Sequence, residues 1–88
     1  MNIEEAKSVL NTLSKEFDSH EFIRKYIQDF TVSYGQLLIE RKQVELAHGA
    51  IGIFLSQHSD ELGINCTGKH KSIDIFNNES SCATWSKL

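Results

Sequence analysis

The chain has 88 residues, 40% hydrophobic and 24% charged, with nine Lys and Arg against twelve Asp and Glu for a net charge of -3. That length allows one domain with a modest core, and the composition argues against wholesale disorder. No block of the chain is strongly basic, so the cationic footprint of non-specific nucleic-acid binding is missing. The opening MNIEEAKSVL has acidic residues where a secretory signal needs cations, and the nearly apolar run 46–55 falls short of the roughly 20 residues of a membrane helix. A cytoplasmic protein without membrane contact is expected, with Cys66 and Cys82 as reduced thiols.

Ile3, Ala6, Leu10, Leu13 and Phe17 recur at helical spacing, which predicts an amphipathic first helix over 2–16, its start favoured by Glu4 and Glu5. Asp18 offers the next cap. Glu21 can reach back to the Asp18 amide while Phe17 and Phe22 bracket the box, so a second helix should begin at Ser19 and bury Phe22, Ile23, Tyr26, Ile27 and Phe30. Thr31 to Ser33 and Gly35 weaken it, so a kink or break is expected near Tyr34, with helix resuming toward Lys42.

The polar stretch 40–43 marks the boundary to a third helix over 44–62. Gly63 supplies the left-handed residue that stops it, and Ile64 can fold back onto its last turn. Residues 65–70 are rich in turn formers, and Ser72 to Ile75 alternates like a half-buried strand. Asn77 or Asn78 can then cap a short closing helix that docks Cys82, Ala83 and Trp85. The expected fold is mainly α: three main helices, the second long or kinked, then a short β element and a short C-terminal helix, in a single domain over 1–88.

The third helix carries two stripes. Ala47, Ala50, Ile51, Phe54, Leu55, His58 and Leu62 form a core face, and well round the helix Gly49, Gly52, Ser56 and Ser59 form a ridge of small side chains that another backbone can approach. Either the chain's own first or second helix fills that ridge, or a protein partner or second copy does. The functional expectation is a non-enzymatic interaction or regulatory module, self-associating or docking a protein partner through Gly49, Gly52, Ser56 and Ser59.

No enzyme motif stands beside it. His58, Ser59 and Asp60 are the residue types of a hydrolytic triad, but helical neighbours point about 100 degrees apart and cannot bond in series. Cys66, His70 and Cys82, with His48 or His58, have the chemistry of zinc ligands without the close cysteine pairs of structural sites, so no metal or cofactor is expected. The alternative from another class is a winged-helix-like DNA-binding regulator. Three helices then a hairpin follow that order, short of its first strand, and Lys69, His70 and Lys71 in a loop would touch phosphates. Nucleic acid is disfavoured because 43–68 holds no Lys or Arg while Asp60 and Glu61 lie in the reading helix.

Overall fold

Two capping boxes organise the N-terminal third of the chain. In the computed structural model, which describes Met1–Leu88, helix α1 spans Ile3–Leu10, and Asn2 accepts the Glu5 amide while Glu5 reaches back to Asn2. Strand β1, Glu16–Asp18, leads straight into helix α2, Ser19–Asp29, where Asp18 Oδ1 accepts the Glu21 amide at 2.8 Å and Glu21 accepts the Asp18 amide at 3.2 Å. The second helix starts at Ser19, as its sequence predicts. Helix α3 is Thr31–Arg41 and α4 is Val44–Gln57, separated by a left-handed Lys42 within the polar stretch expected to divide them. A single-turn helix α5, Ser59–Leu62, ends at Gly63 with φ 68, the stop that glycine makes inexpensive.

The C-terminal quarter is sheet. Strands β2, Ile64–Ile73, and β3, Glu79–Lys87, pair antiparallel, and β1 adds to the far side of β3, giving the order β1-β3-β2. The expectation of a mainly α fold closing on a short helix is therefore corrected: Cys82, Ala83 and Trp85 lie on the central strand of a three-stranded antiparallel sheet. The strands hide their identity because β2 is an edge strand exposed along most of its length, and its residues show no apolar alternation. The turn formers of 65–70 instead mark a bulge between Cys66 and Gly68, with Gly68 at φ 145, and the hairpin turns later, at 74–78, where Asn77 is left-handed.

Three helix boundaries also differ from expectation. The first helix stops at Leu10, because 16–18 pair with Thr84 to Ser86, a partner that no local pattern reveals. The second helix breaks at Phe30, with φ -131 and ψ 53, rather than near Tyr34, and Gly35 sits inside α3. The third breaks at His58, which splits 44–62 into α4 and α5.

The core lies between the helices and one face of the sheet. Ala6, Val9, Phe22, Tyr26, Ala47 and Leu55 are fully buried, and Phe17 and Trp85, register partners across β1 and β3, are 4% and 2% exposed. The Trp85 indole donates to Ser19 Oγ at 3.0 Å, and Ser19 Oγ donates to the Ala83 carbonyl at 3.4 Å. That chain of bonds fixes the start of α2 to the sheet. No helix is long and apolar enough to cross a membrane.

Candidate functional site

Helix α4 buries Ala47, Ile51 and Leu55 on one side and turns its small-residue stripe away from them. Gly49, Gly52 and Ser56 line a groove of about 750 Å³, bounded by the start of α2, by α4 and by the β2–β3 hairpin. A Cβ placed on Gly49 or Gly52 would meet nothing within 4 Å, so neither the first nor the second helix of the chain fills the stripe. Ser59 is set apart from the others, on α5 beyond the break at His58.

Large apolar side chains stand around the uncovered glycines. Leu46, Ile53 and Phe76 are 54%, 58% and 56% exposed. A second, smaller hollow of about 340 Å³ runs along the other flank of α4, and Gly49 and Ile53 border both hollows. Ile53 is thus a knob on a ridge with a depression on each side.

The hairpin tip that forms the far wall is held in place. Asp74 Oδ1 accepts the Phe76 and Asn78 amides at 2.9 and 3.0 Å, a side-chain-built turn. Those amides and the Asn78 bond foremost hold the Asp74 carboxyl below its usual value. Phe76 stacks on His48 with ring centroids 6.3 Å apart, and His48 Nε2 bonds the Tyr34 hydroxyl at 2.7 Å. Burial lowers the His48 pKa against the opposing pull of Asp74 and Glu45, which favours the neutral ring, and His48 joins α4 to α3 and to the tip.

On the sheet face opposite Phe17 and Trp85 a polar cluster gathers. His70 Nε2 lies 2.8 Å from Asp18 Oδ2, and His70 is the cross-strand partner of Cys82. Ser72 Oγ bonds His20 Nδ1 at 2.7 Å and lies 3.6 Å from Cys82 Sγ, while Ser80 Oγ is 3.2 Å from His20 Nε2. Burial raises the Asp18 pKa, but the Glu21 amide together with His70 and Ser72 outweighs it, so the carboxylate keeps its charge although it is only 4% exposed.

Of the residues with zinc-ligand chemistry, the structure brings His70 and Cys82 together and leaves the rest elsewhere. Cys66 is exposed with its thiol directed at the Gly68 carbonyl, His48 is held by Tyr34, and His58 faces Glu61. Sequence reasoning missed Asp18 as their neighbour, because its cap role already explained it. Lys69, His70 and Lys71 lie along β2 rather than in a loop, and strand alternation puts the two lysines on the face opposite His70.

Compared against protein-family models, curated proteins and solved structures, the chain matches none of them, which leaves its own chemistry as the guide to its function.

Proposed function

We propose that this protein is a non-enzymatic, cytoplasmic interaction module that self-associates through the outer side of α4. One observation carries the proposal: a Cβ at Gly49 or Gly52 would meet nothing within 4 Å, while Leu46 and Ile53 stand exposed on the same helix. A helix bearing both a knob and the hollows beside it is self-complementary. Two copies related by a two-fold axis can each set Ile53 over the small residues of the other, the isologous arrangement that closed dimers use. An antiparallel crossing also keeps the two Glu45 carboxylates apart and brings each toward Gln57, whereas a parallel one would oppose like charges. Glycine and serine lose no side-chain entropy, or little, when covered.

Light scattering across a concentration series tests it. A dimer is expected, and Gly52→Leu should reduce it to a monomer with an unchanged helical spectrum, because a Cβ there meets nothing within 4 Å and points into the open groove. A wild-type monomer at the highest soluble concentration overturns self-association.

One observation favours the DNA-binding alternative. Strand β1 supplies the strand missing from the order read along the sequence, so the order helix, strand, helices, hairpin, with the sheet running β1-β3-β2, is that of a winged helix with additional helical turns. Fold order alone carries no chemistry. The hairpin tip offers Asp74 and Phe76 where phosphate contacts need cations, and α4 bears none. A gel shift on duplex DNA at low salt, compared with Lys69→Ala combined with Lys71→Ala, decides this reading: no wild-type shift removes it.

A further inference from the structure

We propose that Asp18, His70 and Cys82 form a three-ligand site for a zinc-class divalent cation on the polar face of the sheet. Each of the three strands contributes one ligand. A carboxylate oxygen of Asp18, a ring nitrogen of His70 and Cys82 Sγ all lie within 4.8 Å of one another, and Asp18 Oδ2 and His70 Nε2 are already 2.8 Å apart. Donors on a tetrahedral zinc, at about 2.0–2.3 Å from the ion, sit roughly 3.5 Å from each other. Reaching that geometry asks the Asp18–His70 pair to open slightly and the thiol to swing inward, both within side-chain motion.

The backbone explains why these atoms converge. His70 and Cys82 are directly opposite in the β2–β3 ladder, and Asp18 pairs with Thr84, two residues from Cys82 and therefore on the same face. Asp18 is further oriented by its cap: Oδ1 accepts the Glu21 amide, which leaves Oδ2 turned to the cluster. Ser72 Oγ, beside Cys82 and bonded to His20, is placed as an outer-shell group that steers the first ligands.

The charges balance. A carboxylate, a thiolate and a neutral imidazole neutralise a dication, and the mixture of one sulfur, one nitrogen and one oxygen donor suits zinc better than magnesium or calcium. On binding, Cys82 gives its thiol proton to solvent. The imidazole coordinates through Nε2, so the Nε2 proton that Asp18 now accepts passes to solvent, Nδ1 holds the ring's remaining proton, and that hydrogen bond is replaced by two bonds to the metal. Three protein ligands leave a fourth position for water, and Cys82 borders the α4 groove.

Cobalt(II) reports on this site directly. Titrating the metal-free protein with cobalt should give a 1:1 complex with a near-ultraviolet thiolate-to-cobalt charge-transfer band, and zinc should displace it. Cys82→Ser should abolish the band and Cys66→Ser should retain it. His70→Ala and Asp18→Asn should each weaken cobalt binding by at least about tenfold. Asparagine caps a helix as well as aspartate does, so Asp18→Asn separates ligand loss from unfolding. Absence of the band in the wild type, its survival in Cys82→Ser, or its loss in Cys66→Ser overturns the proposal.

Discussion

The two faces of the small sheet use the same backbone for opposite ends. Phe17 and Trp85 point one way and are sealed in the core; Asp18 and Thr84, one residue along each strand, point the other way, toward His70, Ser72 and Cys82. A strand period of two makes this division unavoidable, because a shift of one residue would exchange aromatic rings for a carboxylate. Stability is concentrated on the first face and polar chemistry on the second.

Substitutions can break that division at known points. Trp85→Ala should have the largest effect, about 3–5 kcal/mol of lost stability, since it removes a ring only 2% exposed and takes away the donor to the Ser19 hydroxyl; urea denaturation measures it. Asp18→Ala should cost about 1–2 kcal/mol through the lost cap, with Asp18→Asn recovering most of it in thermal melts. His70→Ala should change stability by less than about 1 kcal/mol, because that ring is half exposed and its bond to Asp18 is open to water on one side.

Acid sharpens the same contrast. The Asp18 pKa is lowered below its ordinary 3.8 in the folded protein, so its contribution is complete above that value and is lost as the pH falls through the lower folded one. Asp18→Asn should therefore flatten the acid limb of a stability-against-pH curve, while a change on the aromatic face shifts the whole curve without altering that slope. On the helical side, burial beside the Glu5 carboxylate pushes the Tyr26 phenol up to about 12. Its absorbance should titrate only at strongly alkaline pH, and unfolding should bring the transition back toward 10.

Much of the helical part is legible along the chain because its signals are local. The Asp18 box, the start at Ser19, the polar gap at 40–43 and the Gly63 stop all depend on atoms within four residues of each other. The core positions of α4 follow from periodicity. The uncovered state of Gly49 and Gly52 does not, since a ridge of small residues reads the same whether something lies over it or nothing does. Asp18 likewise shows its cap role and conceals its other carboxylate oxygen, whose partner is 52 residues away.

What the sequence determined by itself is the start of α2 at Ser19, the divide at 40–43, the stop at Gly63 and the buried side of α4, for caps and a 3.6-residue period act over one or two turns. Only the tertiary structure decided that 16–18 and 79–87 are strands, and that a carboxylate, an imidazole and a thiol meet on one face. Polar strands have no amphipathic pattern of their own. Trp85 and Phe17 fix that register by joining a core whose other members come mostly from helices distant in the chain.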